Sequence, residues 1–120
     1  QAAVLADLDP GLAADLRAIP YNRVAVVAVG YREADCPVKP DGFGYIAPQR
    51  TRRDVLGVQW CSSIYPDRAR AGCVLWRALC GGANRADVFD LPDDELVAAV
   101  HRELRLALGV TGNPAFVEVV

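Results

Sequence analysis

A chain of 120 residues with 52% hydrophobic content carries enough apolar surface for one domain with a real core and is too short for two ordinary ones, so residues 1–120 read as a single domain. Its 13 basic and 15 acidic side chains leave a net charge of -2, which supplies no global field toward nucleic acid and excludes that class of partner. No apolar run approaches the roughly 20 residues of a bilayer crossing and the first residues lack a charged-then-apolar leader, so a cytoplasmic location is expected, with contact at the periphery of a membrane left open.

In chain order, Asp9 stands at a capping position before Pro10, and Leu12, Leu16 and Ile19 recur at helical spacing, which predicts a short helix from about Pro10 that Pro20 ends. "NRVAVVAVGY", Asn22 to Tyr31, is a nearly unbroken β-branched and alanine run, the pattern of a central strand covered on both faces. "READCPVKPD", Arg32 to Asp41, mixes charges with Pro37 and Pro40 and reads as a surface connection. "GFGYIAP" is a short strand closed by Pro48, and the basic turn "QRTRR" leads into "DVLGVQWCS", another strand, with "GCVLWRALC" as its neighbour. These three predict an antiparallel meander. The clearest helix is "DLPDDELVAAVHRELRLALG": Leu96, Val97, Val100, Leu104 and Leu108 line one side, Asp93, Asp94 and Glu95 sit at the positive end of the dipole, and Gly109 follows. "NPAFVEVV" is a last strand.

Strands grouped between helices, with hairpin-length connections and no regular βαβ alternation, give an α+β class: a mostly antiparallel sheet of about five strands with helices packed on one face. Strand order does not follow from the sequence. The four cysteines, Cys36, Cys61, Cys73 and Cys80, form no CxxC and have no histidine at ligand spacing, so reduced thiols are expected rather than a metal site. The chain contains no methionine, even at position 1, which leads to the expectation that it is a piece of a longer protein.

Few residues suggest chemistry by themselves. His101, the single histidine, sits at the border of the apolar stripe with no local Ser or Cys partner, and a structural role is the preferred reading. Gly42-Phe43-Gly44 lacks the third glycine of a dinucleotide turn and precedes a strand rather than a helix; its glycines are better suited to close backbone approach while Phe43 projects an aromatic ring. Arg50, Arg52 and Arg53 either form a solvated turn or grip a carboxylate-rich ligand or an anionic lipid surface. The Tyr65-Pro66-Asp67-Arg68 segment is first a turn. Gln59 and Arg77 each interrupt an apolar strand, and either face water or line a polar cavity closed by parts outside this chain.

Taken together, "DGFGYIAP", "VLGVQWCSSIYPDRA" and "WRALCGG", in that order and spacing, resemble the middle section of the bacterial protoporphyrinogen oxidases, within the flavin-containing amine oxidase superfamily. The flanking segments "LAADLRAIPYNRVAVVAVGY" and "DLPDDELVAAVHRELRLALGV" are similar as well, so the resemblance covers nearly the whole chain. It implies a parent enzyme that uses FAD to oxidise a porphyrinogen to a porphyrin with oxygen as acceptor, as in haem biosynthesis. This chain would be much of its substrate-binding domain, with no cofactor or activity of its own. By the same resemblance the substrate, a porphyrinogen-like small molecule, falls on Phe43, Gly44, Tyr45 and Ile46, on Gln59 of the next strand, and on Leu79 and Cys80. No residue is assigned to catalysis or to a metal. Two alternatives stand beside this reading: the substrate domain of another flavin amine oxidase or desaturase, and an α+β interaction module that buries Val24 to Val29 and Phe116 to Val120 by forming a homodimer.

Overall fold

The computed structural model describes residues 2–39, 41–83 and 85–120. At the N-terminal end, α1 (Ala2–Leu5) and α2 (Pro10–Ala18) form a helical hairpin. The first residue of α2 is proline, and the Asp9 carboxylate accepts a 2.9 Å hydrogen bond from the Leu12 N–H, the cap expected from the sequence. The single turn α1 is a feature the sequence pattern did not show. Ala13 is fully buried within the hairpin, yet none of the described residues of either helix belongs to the main hydrophobic core.

That core is built on a sheet of five strands: β1 (Val24–Arg32), β2 (Gly44–Ile46), β3 (Gly57–Gln59), β4 (Cys73–Gly81) and β5 (Phe116–Val119). Their order is β2-β3-β4-β1-β5 and every pairing is antiparallel. The expected meander is thus β2-β3-β4, and β1 then inserts between β4 and the last strand. The longest pairing, between β1 and β4, runs from Val24 opposite Gly81 to Arg32 opposite Cys73.

Side-chain alternation divides the sheet into two unlike faces. On one face Tyr45, Val58, Ala78, Val27 and Val119 lie in register, with Trp76, Val29 and Val117 in the next row. This face is covered by α4 (Asp93–Leu108), whose Leu96, Val100, Leu104 and Leu108 are buried against it. Tyr31 and Trp76 meet at 5.5 Å between ring centroids. Complete burial of a side chain such as Leu104 stabilises the fold by about 1.5–3 kcal/mol.

The opposite face carries Ile46, Gln59, Leu75, Arg77, Leu79, Val26, Ala28 and Phe116. Here the structure corrects the expectation for Asn22 to Tyr31. β1 is paired on both edges, and Val27, Val29, Gly30 and Tyr31 are closed off, whereas Val26 and Ala28 are half-buried and Val24 is 42% exposed. A β-branched run marks a strand that demands cover on both faces, and among the described residues the face of Val24, Val26 and Ala28 is only partly covered.

A second difference falls at "GVQWCSS". The strand ends at Gln59, and Cys61–Ile64 form the single-turn helix α3. Both serines explain the turn, because each hydroxyl accepts a backbone N–H from elsewhere: Ser62 from Leu75 at 3.1 Å and Ser63 from Gly42 at 3.2 Å. α4 closes at Gly109, which adopts φ 69, the left-handed conformation that favours glycine.

Candidate functional site

The open face of the sheet is arranged around two glycines. Gly57 lies in register between Ile46 and Leu79, and Gly44 lies beside Gln59, which is itself opposite Arg77. Neither glycine is replaceable without movement. A Cβ on Gly57 would sit 2.6 Å from the Tyr45 carbonyl oxygen. A Cβ on Gly44, which holds φ +148, would run into the Val58 carbonyl oxygen. The two backbones therefore approach closely, and the strip between Ile46 and Leu79 carries no side chain: a shallow trough in which Gly44 is half-buried and Gly57 buried. Ile46 is 85% exposed and Phe43, just ahead of β2, is 74% exposed. Two large apolar side chains so open on one short hairpin mark a surface built to be covered.

Phe43 is held by its backbone: its carbonyl accepts the Trp60 N–H at 2.8 Å, while the neighbouring Gly42 N–H donates to Ser63. The serine loop thus fixes the backbone from which Phe43 extends.

Of the residues the family resemblance picked out, Gly44, Ile46, Gln59 and Leu79 share the open face, and Phe43 stands exposed just ahead of β2. Tyr45 and Cys80 lie on the other face, turned away by strand alternation. Tyr45 packs against the core with its hydroxyl buried and unpartnered among the described residues. Burial, and next the Glu103 carboxylate, push its phenol up. Cys80 is fully buried, and burial followed by the charge of Asp54 pushes its thiol up to about 12, so it stays a neutral, inert packing group. All four cysteines are free thiols. Among the described residues, no group of three or more His, Cys, Asp and Glu side chains is placed to hold a metal ion.

His101 lies on α4 with its ring stacked on Tyr31, and its Nδ1 is 2.8 Å from the Tyr31 hydroxyl. Burial, with Arg105 nearby, lowers its pKa and favours the neutral ring, whose Nδ1 accepts a hydrogen bond from the Tyr31 hydroxyl in the tautomer protonated at Nε2. This is the structural role expected of it.

A cleft of about 980 Å³ opens at the end of the sheet where β2 finishes and β4 ends. That volume lies at the upper end of the roughly 300–1,000 Å³ typical of small-molecule pockets. Val24, Ile46 and Leu56 supply apolar wall, Gly81 and Gly82 lie where β4 ends, and Arg50, Arg52, Arg53 and Arg85 supply charge. Among the described residues, no acidic side chain lines it. Ile46 belongs both to this cleft and to the trough, so the two form one continuous surface.

Behind the cleft, Asp54 is the organising group. It accepts from Arg85 at 3.0 Å and from Arg102 of α4 at 2.7 Å. Burial alone would push its carboxyl up, but those two guanidinium groups hold it below the usual carboxylate range. Arg85 also chelates Asp87 through Nε and Nη2. Arg53 stands 3.6 Å from the buried Glu103. Sequence reading noticed the arginines but missed this scaffold, because Asp54, Arg85 and Arg102 are brought together only by the fold.

The strand-and-helix pattern with this two-faced sheet belongs to the flavin containing amine oxidoreductase family, whose model matches residues 2–120. Among curated proteins the chain is 37% identical over 94 residues to the chloroplastic protoporphyrinogen oxidase of Oryza sativa subsp. japonica, covering 73% of this chain and 18% of that protein. It is 32% identical over 93 residues to coproporphyrinogen III oxidase of Staphylococcus aureus, covering 78% of this chain and 20% of that protein. Its fold matches a solved structure from Exiguobacterium sp. 255-15, described provisionally as a protoporphyrinogen oxidase, with a TM-score of 0.73. That match has 18% identity and covers 99% of this chain and 26% of the other. The chain therefore spans about a fifth of the length of these curated relatives.

Gly42-Phe43-Gly44 is not the glycine-rich turn of a dinucleotide cradle. Such a cradle needs a glycine-rich turn that opens a helix, whereas Gly42-Phe43-Gly44 leads into β2. No helix among the described residues is long and apolar enough to cross a membrane.

Proposed function

We propose that this chain is part of the substrate-binding domain of an FAD-dependent porphyrinogen oxidase, and that its open sheet face receives the macrocycle. The observation that carries this reading is the trough of Gly44 and Gly57 between Ile46 and Leu79. A porphyrinogen is puckered at its saturated bridging carbons and flattens only on oxidation to the porphyrin, and a strip without side chains leaves room for the macrocycle in both forms. Phe43 adds an aromatic face at the margin. The names of the relatives support a porphyrinogen as the substrate class.

In such an enzyme the flavin supplies the acceptor for hydride equivalents drawn from the porphyrinogen, with oxygen as the final oxidant. The part played by this chain is to bind the macrocycle, fix its plane and exclude water from one of its faces. Nothing in it accepts electrons, so the isolated chain is inactive and the flavin is held by the remainder of the parent protein. Gln59 presents an amide at the edge of the trough, where it can donate to or accept from a polar group of the ligand. Cys80 and Tyr45 act only through the packing beneath.

The test is to produce the full-length parent, record its visible spectrum for flavin bands, and follow porphyrin fluorescence after adding a porphyrinogen in air. The Ile46→Glu variant, which alters a residue 85% exposed, should keep the flavin spectrum and lose most of the fluorescence increase. A parent without flavin bands, or one that leaves porphyrinogens unoxidised, would sink the reading. The open face also suits self-association of the isolated chain, since Phe116 is 51% and Val120 81% exposed along the edge strand. If the parent itself sediments as a dimer through this face, the macrocycle does not bind there.

A further inference from the structure

We infer that Arg50 and Arg52 form the carboxylate-binding end of the cleft and hold the acid side chains of the tetrapyrrole. The inference rests on the porphyrinogen reading above and goes further by naming the residues and groups that orient the ring.

Four arginines line the cleft, but they are not equivalent. Arg85 is spent on Asp54 and Asp87, and Arg53 faces Glu103. Arg50 and Arg52 have no ion-pair partner among the described residues, and no acid lines the cleft to neutralise them. Two unspent guanidinium groups therefore face a cavity whose other wall is apolar.

The backbone gives a separate indication. Arg52 adopts φ 45, ψ 45, the left-handed conformation, at the end of the one-turn 3₁₀ segment Gln49–Thr51. A non-glycine residue there is strained, and strain of this kind collects at ligand clamps. The turn is fixed on both sides: Thr51 donates its hydroxyl to the Pro48 carbonyl at 2.6 Å, and Arg53 and Asp54 are tied to α4. The loop is tied at both ends, and Arg50 and Arg52 lie between the ties.

Chemically, a planar guanidinium forms paired hydrogen bonds with a carboxylate, a geometry that fixes direction as well as charge. A ring lying over Gly57 between Ile46 and Leu79 has its edge beside Ile46, the residue shared with the cleft. Propionate groups on that edge reach the arginine end, while the apolar body stays on the trough. For a macrocycle that carries its propionates on two adjacent pyrroles only, reversal would place them over the apolar floor, so the same contact selects one orientation; a tetra-acid such as coproporphyrin III meets the arginines in any rotation.

The experiment uses the full-length flavoprotein and measures fluorescence-detected binding of coproporphyrin III and of its neutral tetra-amide, at low and at high salt. The double variant Arg50→Gln, Arg52→Asn removes both charges, and asparagine tolerates the left-handed backbone. It should raise the Kd for the acid by roughly twentyfold at low salt and leave the amide within about twofold. The Arg50→Lys, Arg52→Lys variant should recover part of the loss, and high salt should shrink the difference. An unchanged Kd for the acid, in a variant whose wild-type parent oxidises porphyrinogen, overturns the arginine assignment and leaves the function standing. Equal losses for acid and amide overturn it too, by showing a shape effect. If the variant loses binding to vesicles containing an anionic phospholipid while its porphyrin affinity is unchanged, the guanidinium groups serve a membrane instead. A wild-type parent that binds neither porphyrin removes both this inference and the porphyrinogen reading.

Discussion

Replacing Gly44 by alanine tests the close approach of β2 to β3 directly. Two costs add. The residue holds φ +148, a region open to glycine and strained by about 1–3 kcal/mol for other residues. The new methyl would also meet the Val58 carbonyl, so β2 must retreat from β3 and weaken the bonds that flank it, Trp60 N–H to the Phe43 carbonyl and Ala47 N–H to the Leu56 carbonyl. At about 1 kcal/mol for each of two backbone hydrogen bonds, the total is about 4 kcal/mol. Gly42→Ala is the control: its φ of +99 is also positive, but nothing lies within 4 Å of the added carbon. It should cost only about 1–2 kcal/mol. Urea unfolding of the two variants beside the wild type gives the difference, and hydrogen exchange at the Trp60 and Ala47 amides shows whether the hairpin edge has opened. Equal losses for the two variants would refute the steric account of the trough, and protected amides in Gly44→Ala would show that β2 had not moved.

Other predictions follow from the core face. The Cys80 thiol, pushed up to about 12 in the folded chain from the ordinary thiol value of 9.0, ionises earlier once unfolded. Its stabilising contribution is therefore complete below pH 9 and is lost as pH rises toward 12, at up to about 1.4 kcal/mol per pH unit. Urea midpoints measured across that range should fall less steeply in Cys80→Ala. His101 has the opposite sense: its folded pKa is lowered from 6.5, so stability is full above that pH and declines as pH falls below it. Tyr31→Phe removes the hydroxyl that hydrogen-bonds the neutral ring, and the histidine titration followed by NMR should shift upward. On α4, Leu104→Ala at a fully buried site should cost about 2–5 kcal/mol, and Leu106→Ala, at 65% exposure, should lie within about 0.5 kcal/mol of wild type by thermal melting.

Local signals were strong for α4, for the cap at Asp9 and for the meander, because each depends on neighbours close in sequence. The end of β3 at Gln59 was hidden, since the hydroxyls that turn the chain into α3 bond to Leu75 and Gly42, residues distant in sequence. The partly covered face of β1 was also hidden. Val24 to Val29 read as strand buried on both sides, which states what the strand requires and cannot state whether this chain supplies it. For the candidate site, the Gly-Phe-Gly pattern located the trough, but a list of contacting residues taken by resemblance mixed two faces. Counting alternate positions from Ile46 and Leu79 separates Tyr45 and Cys80 once the register is known. The role of Asp54 had no sequence signature, because its partners Arg85 and Arg102 stand 31 and 48 positions away.

The tether between the arginine loop and α4 has a mechanical meaning. Asp54 grips Arg102 and Glu103 faces Arg53, so adjacent residues of the loop are riveted to adjacent residues of the helix whose other side packs the core. Cleft wall and core helix then move as one lever. A substitution at Val100 or Leu104 that tilts the helix by a fraction of an ångström reaches the cleft without touching a ligand, and changes in ligand preference can arise from positions that look purely architectural.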